Sequence, residues 1–366
     1  MTASIQPTSY WLIWSLLVGL CPVVISNSQL LKSPNTGEKE LTKEAYLATL
    51  DPEIKKAYEH VEFDSPEQID KAFADILALQ NKKSWNETYT RIKSKIVTKT
   101  KKKINESVTL NIYSQKSSKS RPGLYWIHPG GFFFGDTDYE DFMMQRIAEE
   151  LDFVVVSVNY RLWPAKYPEI FEDCYAGLRY VWDNAEKLSI NKSQLAIGGA
   201  SAGGGLAACC ALRARDEKND KEDKNPIEIN FQWLIQPMLD DRTNLPSTVK
   251  LGLSPGWPSE ANRLAWKHYL GGNYSKEHHP YAVAFRAEDL KGLPKTFIGV
   301  GSAEIFRDEN IIFAQRLLDA NVVVELNVYP GVTHGVDNYR IDNPFDKVAE
   351  EVREVNLNAL KRAFRQ

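Results

Sequence analysis

The sequence predicts an α/β fold: a mostly parallel, eight-stranded sheet with helices on both faces and a helical cap. Short apolar runs alternate with longer helical patterns over the C-terminal two thirds of the chain. A glycine-rich turn joins one of those runs directly to an alanine-rich helical stretch at Leu195 to Leu206. The residues able to carry chemistry fall just after apolar runs, where open α/β sheets keep their sites. A length of 366 residues accommodates one large unit of this kind with a cap. With 43% apolar and 25% charged residues, most of the chain can bury a core.

The first 30 residues carry no charged side chain, and Tyr10 to Leu20 is an apolar run closed by Pro22. That run is short for a membrane span, which needs about 20 apolar residues. It reads as a secretory signal ending near residue 27, although a basic leading segment is missing. An uncleaved anchor and a cap helix of a cytoplasmic enzyme are the alternatives. Sequons at Asn86, Asn105, Asn191 and Asn273 fit secretion but also arise by chance. Residues 28–85 are expected to form N-terminal cap helices. From Thr42 to about Gln80 the apolar spacing is helical, and Asp64-Ser65-Pro66-Glu67 supplies a helix start.

The main unit is expected over 86–366. From Tyr89 to Lys103, alternating residues crowded by lysines predict an edge strand guarded against pairing with another chain. Strands are expected at Leu110–Tyr113, Leu124–Ile127, Val154–Val158, Leu195–Ile197, Phe231–Ile235, Thr296–Val300 and Val322–Val328. Helices are expected at Phe142–Leu151, Ile170–Leu188, Gly204–Asp216, Ile311–Asn321 and Asp346–Phe364. Residues 245–285, rich in Pro, Gly and Trp, break the alternation and read as a cap insertion.

The turn Gly199-x-Ser201-x-Gly203 places a serine between strand and helix, where only small neighbours fit. Such a serine is a candidate nucleophile at the positive end of a helix. Trp126-Ile-His-Pro-Gly-Gly-Phe132 follows another strand. The backbone N–H groups of Gly130 and Gly131, with that of Ala202, make a candidate three-donor oxyanion hole. His128 is expected to brace this loop rather than act as a base. Downstream, His334 in Tyr329-Pro-Gly-Val-Thr-His-Gly335 is the candidate general base. The acid is Glu304, with Asp308 (otherwise a cap for a helix from Glu309) and the Asp240-Asp241 pair as alternatives.

Together these motifs resemble the hormone-sensitive-lipase-like family of α/β-hydrolases, which includes microbial carboxylesterases and the arylacetamide deacetylases. The matching stretches are His128 to Gly131, Gly199 to Gly204, Tyr160-Arg-Leu-Trp-Pro164 with Tyr167, Pro168 and Asp173, Glu304 to Glu309, and Pro330 to Gly335. Pro129, Ala200 and Glu304 depart from the family pattern of Gly, Asp and Asp. The resemblance implies the α/β-hydrolase fold and hydrolysis of short- to medium-chain esters through Ser201, His334 and Glu304, with an acyl-enzyme intermediate. An acyltransferase or a non-catalytic receptor on the same scaffold is the alternative, but receptors of this type have lost the histidine that His334 supplies here.

No cofactor or metal is expected, and His278-His279 lacks metal spacing. Partners are expected to be small esters, not nucleic acid, given a net charge of −3. Membrane association is expected only through the N terminus. Four cysteines, Cys21, Cys174, Cys209 and Cys210, do not make a disulfide framework and read as free thiols. Phe132, Phe133, Phe134, Trp163, Trp257 and Trp266 are candidates for an apolar pocket.

Overall fold

A computed structural model describes residues 39–58, 96–117, 119–138, 140–220, 224–272, 279–336 and 346–364. The expected signal segment and most of the expected N-terminal helical stretch lie outside these residues. Among them, the strands are β1 (Val97–Lys103), β2 (Thr109–Gln115), β3 (Arg121–Ile127), β4 (Val154–Asn159), β5 (Ile190–Ala200), β6 (Phe231–Ile235), β7 (Lys295–Gly301) and β8 (Val324–Tyr329). They form one sheet in the order β1-β2-β4-β3-β5-β6-β7-β8. β2 runs antiparallel to both β1 and β4, and every pairing from β4 to β8 is parallel.

Local chemistry explains the elements. β4 reads Val-Val-Val-Ser-Val-Asn and is buried along almost its whole length, as a central parallel strand requires. β1 lies at the open edge with all but its first residue exposed, and Lys99, Lys101, Lys102 and Lys103 discourage pairing there. Lys99 is held by Asp138 and Asp141 at 2.5 and 2.6 Å.

Helices cover both faces. On one side α3 (Asp141–Glu150) sends Met144 and Ile147, and α9 (Asp346–Ala363) sends Leu357 and Leu360, onto Trp126, Trp233 and Phe297. On the other, α4 (Glu169–Asp183), α5 (Ala202–Asn219) and α8 (Arg307–Asp319) pack on Tyr125, Ile127, Ile197, Leu234 and Ile298. Neighbouring strand residues thus go to opposite cores, as a pleated sheet dictates. α5 is buried nearly all round in its first three turns and is the central helix of its face.

Between β6 and β7 lie α6 (Pro246–Lys250) and α7 (Ser259–Tyr269). At the N-terminal side α1 (Lys43–Leu47) and α2 (Pro52–Tyr58) join them over the carboxyl ends of the strands: Leu41 N–H reaches Lys250 O at 3.0 Å, and Asp51 N–H reaches Gly331 O at 3.0 Å. No helix among the described residues is long and apolar enough to cross a membrane. Cys174, Cys209 and Cys210 are buried free thiols.

Candidate active site

Ser201 occupies the single position between the end of β5 and the start of α5. Its backbone takes φ 54° and ψ −124°, left-handed for a non-glycine residue. The turn is pinned on both sides. Ser201 N–H donates to Ile235 O at 2.9 Å, and Ser201 O accepts from Gly205 at 3.1 Å and Met238 at 2.9 Å. A side chain at Gly199 would stand 2.3 Å from Gly203 O, and one at Gly203 would stand 2.1 Å from Ile127 O. Both glycines are therefore steric requirements of the turn.

Two further strand ends converge on the serine. His334, after β8, brings Nε2 to 3.0 Å from Ser201 Oγ and Nδ1 to 2.5 Å from Glu304 Oε2. Glu304, after β7, is fully buried, and its other oxygen accepts from Gly301 N–H at 2.7 Å. With the carboxylate as acceptor, Nδ1 carries the ring proton and Nε2 is left to accept from the Ser201 hydroxyl. Phe306 sits edge-on to the imidazole, ring centres 5.0 Å apart.

The alternative acids are engaged elsewhere. Asp308 accepts from Ser247 N–H at 2.7 Å and pairs with Arg307. Asp240 pairs with Arg242 and Asp241 with Arg286, both at 2.8 Å. Asp308 is also not the cap of its own helix: α8 starts at Arg307, after Phe306, so Asp308 lies inside its first turn. It serves α6 instead, taking an N–H from that helix's first turn, while Ser247 Oγ accepts from Asp308 N–H at 3.1 Å.

The loop after β3 turns sharply. Gly130, Gly131 and Phe132 have φ of 125°, 58° and 71°. Gly130 O accepts from both Phe133 and Phe134 N–H at 2.9 Å. A side chain at Gly130 would stand 2.1 Å from Phe134 O, and one at Gly131 would stand 2.3 Å from the Trp257 indole. Among the described residues, no hydrogen bond uses the N–H of Gly130, Gly131 or Ala202. Ala202 opens α5, where no intrahelical acceptor exists.

His128 is fully buried, stacked on Tyr160 at 4.2 Å, and paired through Nδ1 with Pro129 O at 2.8 Å. Burial drives its pKa down to about 4. Tyr160 also donates its hydroxyl to His128 O at 2.9 Å, and Arg161 grips Asp173 at 2.7 Å. The Tyr160-Arg161 segment is thus a buttress for the loop. Of the pocket candidates, Phe132, Phe133, Trp257 and Trp266 are buried, whereas Phe134 and Trp163 are half-exposed. Phe132 stacks on Tyr269 of α7 at 4.1 Å, and Phe133 lies 6.2 Å from Trp163.

A family model described as the alpha/beta hydrolase fold matches residues 124–338, which contain the serine, histidine and glutamate. The chain belongs to the α/β-hydrolase family. Within it, this hydrolase falls in the hormone-sensitive-lipase-like branch. It is 34% identical over 248 residues to carboxylesterase NlhH of Mycobacterium tuberculosis, covering 66% of this chain and 74% of that protein. It is 28% identical to bovine (Bos taurus) arylacetamide deacetylase, over 62% of this chain and 71% of the relative. A solved bacterial heroin esterase superposes with a TM-score of 0.71 at 34% identity, over 87% of this chain and 99% of the other. Esterase LipW of Mycobacterium marinum gives 0.70 at 29% identity, over 90% and 99%. The hydrolase is an enzyme by this relationship.

Sequence patterns did not single out several residues that grip this hydrolase's site. Gln236, Tyr46 and Gly256 act across long stretches of chain. Tyr46 donates to Ala303 O at 2.7 Å, next to Glu304. Gly256, at φ 91°, approaches the His334 carbonyl so closely that a side chain would stand 2.6 Å from it.

Proposed function

We propose that this hydrolase cleaves small carboxylic esters through Ser201, His334 and Glu304. One observation carries the reading: an unbroken hydrogen-bonded line from a buried carboxylate through an imidazole to a serine held on a strained turn. The names of the relatives, carboxylesterase and esterase, agree with it.

The steps follow from the groups. Ser201 Oγ bonds to the ester carbonyl carbon while its proton passes to His334 Nε2, and the carbonyl electron pair moves onto oxygen. Glu304 stabilises the imidazolium and holds its tautomer. The N–H groups of Gly130, Gly131 and Ala202, which no group among the described residues occupies, are suited to receive the oxyanion. The carbonyl re-forms, the C–O bond to the alcohol breaks, and the imidazolium gives the alcohol its proton. Water then repeats the cycle on the acyl-enzyme, releasing acid and free Ser201. Phe134 and Trp163 beside the loop favour uncharged, short- to medium-chain acyl esters. From its uncharged apolar N terminus, the chain is proposed to be secreted or membrane-associated, which N-terminal sequencing of the mature protein tests.

A fluorophosphonate label should add to Ser201 alone, as read by mass spectrometry of peptides. Ser201→Ala should lower turnover of p-nitrophenyl butyrate by at least about 10³-fold. Full turnover in that variant, or a label on another residue, overturns the proposal.

A further inference from the structure

The end of β6 holds the nucleophile and the base at once. Ile235, its last residue, accepts the Ser201 N–H at 2.9 Å. Gln236, the next residue, bends into a left-handed φ of 46° that seldom suits a side chain, and its own N–H is fixed to Gly299 O at 2.7 Å. That bend places a side chain 3% exposed, whose Oε1 accepts the N–H of Gly335 at 2.7 Å. Gly335 directly follows His334, so this bond fixes the orientation of the peptide that leaves the imidazole-bearing residue. On the opposite side of the same peptide, Gly256 crowds the His334 carbonyl. Only one end of the Gln236 amide is used: among the described residues, buried Nε2 has no partner. Packing alone would be met by methionine, which brings no polar atom to satisfy.

Building on the ester-hydrolysis reading, we infer that Gln236 is a positioning residue. Its carbonyl oxygen, by holding Gly335 N–H, sets the distance and angle between the His334 imidazole and Ser201. It touches neither substrate nor the transferred proton. A displacement of about 1 Å in such a pair costs on the order of 10²-fold in rate.

The test compares Gln236→Met, which keeps length and loses the acceptor, with Gln236→Glu, which keeps an acceptor and loses the unpaired donor. Turnover of p-nitrophenyl butyrate, the rate of fluorophosphonate labelling, and pH profiles from 5 to 9 are measured alongside thermal unfolding. Gln236→Met should lower kcat by about 10- to 100-fold with KM within about threefold, and labelling should slow in step. Gln236→Glu should restore kcat to within about fivefold of wild type at the alkaline end. Its acid limb should move to higher pH, because a carboxylate near His334 favours the imidazolium. Wild-type kcat in Gln236→Met, or equal losses in both variants, overturns the inference. Should Gln236→Met fold poorly, the rescue and the displaced acid limb in Gln236→Glu decide alone. Activity surviving in Ser201→Ala would sink the reading of the site itself, whereas a dead Ser201→Ala beside an unimpaired Gln236→Met sinks only this proposal.

Discussion

A left-handed serine costs about 1–3 kcal/mol, and the turn around Ser201 recovers that through three backbone hydrogen bonds. Gly203→Ala should therefore abolish soluble, active enzyme, since its Cβ meets backbone on a neighbouring strand rather than a side chain that could yield. Gly256→Ala is milder and more informative. It combines a strained φ with a push on the His334 carbonyl, so kcat should fall by about 10- to 100-fold while substrate affinity holds. Unchanged kcat would show that the carbonyl is free to move. His128 makes a different, pH-linked prediction. Its folded pKa of about 4 lies below the value near 6.5 of an unfolded chain. Between those values only the unfolded chain takes up the proton, so stability is intact above pH 6.5, declines as pH falls toward 4, and levels off below. The loss is on the order of 3 kcal/mol. Urea unfolding at pH 7, 5.5 and 4.5 should show this decline, flattened in His128→Asn; parallel declines would refute it. At this scale the candidate residues Ser201, Glu304 and His334, which the structure joins by hydrogen bonds, were legible because each sits in a short motif with glycine or histidine beside a strand. Gln236 and Gly256 were not, because what matters in them is a contact with residues 99 and 78 positions away, which leaves no local pattern.

Elements were legible to within a few residues where composition is one-sided. Phe231–Ile235 is a strand as read, and the β-branched run at Val154 opens a strand as expected. β5 exceeds its apolar run, Leu195–Ile197, because pairing reaches back to Ile190 opposite Arg121. A hydrogen-bonding partner, not the strand's own composition, sets that boundary. The helix expected through Leu188 stops at Asp183, where Asn184 closes it by bonding to Tyr180 O. α8 begins two residues before the capping logic placed it, and Asp308 belongs to the joint between α8 and α6. This separates two carboxylates four residues apart. Asp308→Ala should cost about 1 kcal/mol, lower Tm by about 2–4 °C and leave kcat within about threefold. Glu304→Ala should cut kcat by at least about 10²-fold with a smaller change in Tm per unit of lost activity. The reverse ranking in kcat would exchange their roles.

Across the whole molecule, the alternation of apolar runs foretold a parallel sheet between two helical layers, and that sheet brings the candidate residues of the separate motifs to hydrogen-bond distance at its strand ends. Strand order and the antiparallel edge were not legible, because apolar runs state that a strand is buried and not which strand lies beside it. Nor did the sequence reveal how α1 joins the site. Tyr46 donates to Ala303 O, and Glu53 accepts the N–H of Val348, so residues before 60 clasp residues beyond 300. Tyr46→Phe should lower stability by about 1 kcal/mol and slow turnover several-fold, read by thermal unfolding and kcat together. Wild-type values in both would make the clasp incidental.

That clasp has a bearing on how the chain comes into being. Synthesis delivers Tyr46 about 257 residues ahead of the carbonyl it binds and Glu53 about 295 ahead of Val348, so at roughly 5–20 residues per second the early segment waits many seconds for its partners. The strands through β6 can emerge and begin to pair meanwhile. The proposed triad, however, cannot assemble before His334 has left the ribosome. A ribosome stalled anywhere before residue 300 would then carry a nascent chain with its serine already made and nothing to activate it.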